Sequence, residues 1–167
     1  MIEAGLENAA FAIISDPEAV QAGMTVGAGA AITIPLGGKF DPSVVGPAQV
    51  TGIVEKLSDG DFVYEGPMFK GVKATMGPSM RLRIGGIQVV VATNRLQVFD
   101  GAYFRTLGIE PTERAVLAVK SAHHFRAAFG PMASRILLVD AAGITSPDLT
   151  RFPYENVRRP IWPLDMD

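Results

Sequence analysis

The residues best equipped for chemistry stand together in Lys120-Ser121-Ala122-His123-His124-Phe125-Arg126. The apolar run Ala115 to Val119 just before them reads as a strand, and ligands of open α/β sheets gather at the carboxyl end of such strands. Ser121 can cap a helix over Ala122 to Phe129, closed by Gly130, whose free N–H groups attract anions. An ammonium, a hydroxyl and an imidazole converging there suit a carboxylate, a phosphate or an oxyanion. The same residues also fit a purely structural role. Lys120 then ends a strand in solvent, Ser121 only caps, His124 packs, and Phe125 and Phe129 belong to the core. A metal site is a weaker reading. His123 and His124 are the only histidines and are adjacent, so on a helix they point about 100° apart, and no HExxH is present.

Other motifs are less specific. Leu36-Gly37-Gly38-Lys39 lets a backbone approach a ligand with Lys39 as counter-charge, but it lacks the spacing of a phosphate loop and also reads as a tight turn. Val26-Gly27-Ala28-Gly29 leads into a strand, the wrong context for a dinucleotide fingerprint. No GxSxG exists for serine hydrolysis. Asp140, at a strand end, can orient a histidine or cap a loop. Arg158-Arg159 can clamp a carboxylate or stay solvated.

The elements that must position these groups follow from pattern. Ile2, Leu6, Ala9 and Ile13 fall at helical spacing and predict an opening helix. Asp16-Pro17-Glu18 reads as a second helix start, with Gly23 as its end. Strands are expected at Ala30 to Pro35, at Gln49 to Leu57, and at Phe62 to Tyr64 returning through Ser58-Asp59-Gly60-Asp61. Met80 to Ala92 is a hairpin about Gly85-Gly86, setting Met80, Leu82 and Ile84 opposite Val91, Val89 and Ile87. Its other face carries Arg81, Arg83, Gln88 and Val90, and should be wet or face a partner. Asp100 caps a short helix bearing Tyr103, Phe104 and Leu107. Ile136 to Val139 completes a βαβ unit near residues 115–140. The proline-rich tail from Ile144 to Asp167, with its aromatic residues, is expected to lie extended and packed on the domain. The fold class is therefore α/β, one domain over 1–167, with a mixed sheet: parallel near the Lys120 segment, antiparallel in the middle.

Composition narrows the function classes. The 167 residues are 48% apolar and 19% charged, enough to build one core without staples. Net charge is −2, from 15 basic and 17 acidic residues, so no global basic field holds a nucleic acid or an anionic membrane. With no cysteine, disulfides, thiolate metal sites and a cysteine nucleophile are excluded. The stretch Ala19 to Gly38 is uncharged and long enough to span a bilayer, but its glycines and Pro35 argue for a buried strand between loops. No secretory n-region precedes it, and a cytoplasmic location is expected.

Four motifs in order resemble the C-terminal domain of microcystinase C (MlrC)-like proteins. They are Asp16-Pro17-Glu18-Ala19-Val20, Pro35 to Lys39, Lys120 to Phe129, and Arg158-Arg159-Pro160-Ile161-Trp162-Pro163-Leu164-Asp165. The resemblance implies two-domain, zinc-dependent metallopeptidases or amidohydrolases acting on small linear peptides. It implies that the zinc ligands sit in a metal-binding N-terminal domain outside this sequence, so no cofactor is expected within the chain. It further implies that Lys120, Ser121, His124 and Arg126 face an interdomain cleft. There Lys120 and His124 would stabilise an oxyanion or hold a carboxylate, while Ser121, Arg126, Gly37, Gly38 and Lys39 would help bind a small peptide or amide substrate. Two other readings use the same residues or their neighbours: a stand-alone binder of small anions, and a homodimerisation domain interfacing through the hairpin face or the aromatic tail.

Overall fold

Asp16, buried, marks where the first strand gives way to the first helix. In the computed structural model, which describes residues 1–40, 46–141 and 148–165, β1 (Ala9–Ser15) ends there and α1 (Pro17–Val26) begins. Asp16 Oδ1 accepts from Ala19 N at 3.0 Å and Pro17 occupies the first turn, as its sequence predicts. The helix passes through Gly23 and ends at Gly27. Gly23 is small for a packing reason: a Cβ there would sit 2.3 Å from Met80 Sδ.

The expected opening helix is not formed. Ala9–Ser15 is a strand flanked by neighbours on both sides, with Ala9, Ala10, Ala12 and Ile13 buried. The continuous apolar run of a doubly covered parallel strand contains helical spacings by accident. Six strands form the main sheet in the order β2-β3-β6-β7-β1-β8. They are β2 (Ala31–Leu36), β3 (Ala48–Ser58), β6 (Ser79–Ile84), β7 (Ile87–Ala92), β1 and β8 (Val116–Val119). The segment from β2 to β7 is antiparallel, and β7, β1 and β8 run parallel. The molecule is thus a single α/β domain with a mixed sheet, as its sequence predicts.

The hairpin register is the predicted one, Met80↔Val91, Leu82↔Val89 and Ile84↔Ile87. Its second face is partly covered: Arg81, Arg83 and Gln88 are half-buried. Val90 is fully buried with Tyr103, Phe104 and Leu107, around α2 (Ala102–Arg105). Arg81 is absorbed as well, donating from Nη1 to the carbonyls of Leu107 and Gly108. The sheet therefore has a core on each face, with α1 over Val54, Met80 and Val91 on the other.

Phe62 does not return along β3. Both edges of β3 are taken by β2 and β6. Instead β4 (Asp61–Val63) pairs with β5 (Lys73–Thr75) in a separate two-stranded sheet. β8 is an edge strand paired only with β1 among the described residues. The helix after it, α3 (Phe125–Phe129), is much shorter than the predicted Ala122 to Phe129. Ile136 to Val139 forms no strand, so the expected βαβ unit is not closed; Leu137, Leu138 and Val139 are 68%, 71% and 83% exposed. The described part of the tail, 148–165, is largely exposed rather than packed down, Trp162 included. Among the described residues no helix is long and apolar enough to cross a membrane.

Candidate functional site

β8 carries the chain to Lys120, whose N–H donates to Ala12 O at 2.8 Å and whose carbonyl accepts from Val98 N at 3.2 Å. The strand end is therefore stitched to β1 on one side and to the loop after β7 on the other. Lys120 is exposed, and its ammonium has no side-chain partner among the described residues.

Beside it, Gln97 joins two candidate residues. Its Nε2 donates to Ser121 Oγ at 3.1 Å, and its Oε1 faces His124 Nδ1 at 3.2 Å. With Oε1 as acceptor, Nδ1 carries the proton. The neutral ring then keeps its lone pair on Nε2, ready to accept a proton or, once protonated, to donate one. Ser121 does not cap α3: His124 holds the N-cap position, without a side-chain bond. A helix of this length offers no anion site at its N-terminus. The polar side chains around it are the remaining candidates to meet an anion.

Those side chains are numerous. His123, His124 and Arg126 are exposed and line an open cleft of about 410 Å³ with Pro67, Met68 and Ala127. Arg126 lies over the Phe125 ring, 5.3 Å from its centroid, and Phe125 is itself anchored in the second core. Arg95, on the same loop as Gln97, lies 3.9 Å over the ring of Phe40.

Phe40 follows the predicted glycine turn. Gly37 and Gly38 both have positive φ, 64° and 62°, which explains the pair. Gly37 N donates to Asp16 Oδ2 at 2.9 Å, and Lys39 Nζ reaches Asp16 Oδ1 at 2.8 Å and Glu18 Oε2 at 3.0 Å. Burial lowers the Lys39 pKa, but Asp16 and Glu18 outweigh it, and the ammonium titrates above its ordinary value. Lys39 thus arrives at this edge already paired, whereas Lys120 and Arg126 do not. The structure joins Ser121 and His124 through Gln97 and puts His124 and Arg126 in one cleft. Gly37, Gly38 and Lys39 are not among the residues lining that cleft.

The other wall of the cleft rests on Asp100. This carboxylate is buried. Its Oδ2 accepts from Glu65 N (3.1 Å) and Gly66 N (2.7 Å), and its Oδ1 from Ala102 N (2.8 Å). Gly101 rather than Asp100 holds the N-cap of α2, but the Asp100 side chain still reaches the first turn at Ala102 N and also fixes the start of the Pro67–Met68 loop.

The described residues do not assemble a zinc site. Among the described residues no three His, Asp or Glu side chains gather to hold a metal ion. Asp140 pairs with Arg151 at 2.5 Å rather than with a histidine, and Arg159 pairs with Asp165.

Gln97, Arg95, Pro67 and Met68 belong to no sequence motif. Their role follows from topology. Only when β7 and β8 both flank β1 does the loop after β7 lie against Lys120 and Ser121. The alternation of buried Val98 with exposed Gln97 is the one local hint.

Comparison with known proteins agrees with this architecture. The chain is 28% identical to microcystinase C of Sphingomonas sp. over 169 residues, spanning 99% of this chain and 31% of that protein. It superposes with a TM-score of 0.84 and 28% identity on a crystal structure of a Mesorhizobium sp. BNC1 protein provisionally described as a metallopeptidase, covering 98% of this chain and 32% of that one. The chain thus spans about a third of the length of these relatives. The family model for the MlrC C-terminus matches residues 1–156, and the chain belongs to that family.

Proposed function

We propose that this domain forms one wall of a substrate cleft in a peptidase or amidohydrolase acting on small linear peptides, with the hydrolytic centre on a separate metal-binding domain. Zinc is the metal we assign to that domain. The observation that carries the reading is the Gln97 clamp. It holds His124 beside Ser121, the residue that follows Lys120 at the end of β8. The similarity to microcystinase C and to a provisionally described metallopeptidase supports a hydrolytic context.

In this role Lys120 holds a substrate carboxylate or offsets negative charge developing on a carbonyl oxygen, and His124 supplies a hydrogen bond or a proton from Nε2. A group aimed at charge that develops in the transition state lowers turnover when removed, by about 10²–10³-fold for one oxyanion donor. The test places Lys120→Ala and His124→Ala separately in the two-domain protein. Turnover should fall by at least about tenfold with metal content intact. Unchanged turnover in both variants overturns the reading.

A further inference from the structure

We infer that the cleft between Pro67–Met68 and the His123–Arg126 segment is a subsite for the last residue of a short peptide, taking an apolar side chain and its terminal carboxylate together. The inference rests on the peptide-hydrolase reading for its ligand class, but it is carried by the cleft itself.

The lining residues divide by chemistry. Pro67, Met68 and Ala127 offer hydrocarbon, and Arg126 offers nitrogen donors beside the rings of His123 and His124. Among the described residues no carboxylate lines the cleft, so none of them there repels an anion or welcomes an ammonium. The Arg126 guanidinium has no ion-pair partner among the described residues and presents the planar fork that matches a carboxylate bidentately. A volume of about 410 Å³ lies within the range of small-ligand pockets and accommodates a residue or two.

Both walls are held before any ligand arrives. On the loop side, Glu65 and Gly66 hang from buried Asp100. Phe69 adopts φ 59°, uncommon for a residue with a side chain, and its ring meets those of Tyr64 and Phe99, each at 5.9 Å. Such strain persists where surrounding packing imposes it. The turn folds Phe69 back against aromatic neighbours while Met68 lines the cleft. Methionine, unbranched and polarizable, moulds to apolar groups of varied shape. On the opposite side, Phe125 fastens the segment that bears His124 and Arg126. A preformed cleft avoids part of the ordering cost of binding.

The test titrates the 167-residue chain with N-acetyl-Ala-Leu, its carboxamide, and N-acetyl-Ala-Gly, following backbone amide shifts by NMR. The leucyl carboxylate should move amides of residues 66–68 and 123–127. The carboxamide should bind about tenfold more weakly, the loss expected for a charge-assisted bond. The glycyl peptide should bind several-fold more weakly through lost apolar contact. Arg126→Ala should erase the carboxylate preference, and Met68→Ala should shrink the leucyl preference. Equal binding of acid and amide, shifts elsewhere on the molecule, or no shifts at the solubility limit of the leucyl peptide each overturn the inference. Because binding is read without turnover, its failure is separable from that of the hydrolytic reading. Unchanged turnover in the Lys120 and His124 variants would sink the latter and leave the subsite standing.

Discussion

Asp100 shows how much one buried carboxylate can organise. Its two oxygens take three backbone N–H groups from two parts of the chain. In Asp100→Asn the amide sets a donor against at least one of those donors. A stranded buried group of this kind costs about 1–3 kcal/mol. For a domain of this size each kcal/mol lowers Tm by about 2–4 °C. We therefore expect a melt lowered by several degrees, with weaker peptide binding in the cleft because the Pro67–Met68 loop loses its anchor. A loss of stability with cleft binding intact would mean that Asp100 serves α2 alone. Lys120, Ser121 and His124 were legible in the sequence because their chemistry is contiguous. Gln97 was not, because its partners lie 24 and 27 residues away and are brought near by strand order alone.

Elements are tied to one another by a smaller number of ion pairs, and one of these makes a pH prediction. Arg105, in α2, bonds Glu110 at 2.8 and 3.0 Å and Glu65 at 2.6 Å. The Arg105 guanidinium holds the Glu110 carboxyl down to about 2. A carboxylate depressed on folding contributes stability above its unfolded pKa of about 4.3 and loses it as pH falls through the folded value. The urea midpoint should thus decline between about pH 5 and pH 2, and Glu110→Gln should flatten part of that decline. The network is solvent-accessible, so the change is modest and shrinks with added salt. An identical pH slope in the variant would remove Glu110 from the account. Periodicity served the elements unevenly. The Gly85-Gly86 hairpin was legible to the residue because strand alternation and turn chemistry agree there. β1 was misread because a doubly buried strand is apolar throughout, and such a run satisfies a helical template too. Ile136 to Val139 has the composition of a strand, yet the register it needs beside β8 is not taken up.

At the scale of the molecule, several large apolar side chains are exposed among the described residues. Leu137, Leu138 and Val139 are exposed, as is Trp162, 68% accessible and the only tryptophan. On the hairpin face α2 and its neighbours cover Val90, while the Arg83 side chain stays 41% exposed. The tail remains available to a partner. In the isolated chain Trp162 should emit as a solvated indole and be readily quenched by acrylamide. If the metal-binding domain covers the tail, mixing the two should shift the emission to the blue and protect it. An unaltered spectrum in a mixture that has gained hydrolytic activity would place the contact elsewhere.

The edge position of β8 reaches further than topology. Lys120 directly follows a four-residue strand that has a ladder on one side only among the described residues, so its cationic group stands at the end of an edge strand, where local opening costs least. Any chain that pairs with the vacant side would stiffen the platform and the groups on it. By reciprocity, a ligand settling on those groups would tighten the grip of that chain by the same factor. Assembly and recognition would then be two readings of one equilibrium, and hydrogen exchange at residues 116–119 is where it would register.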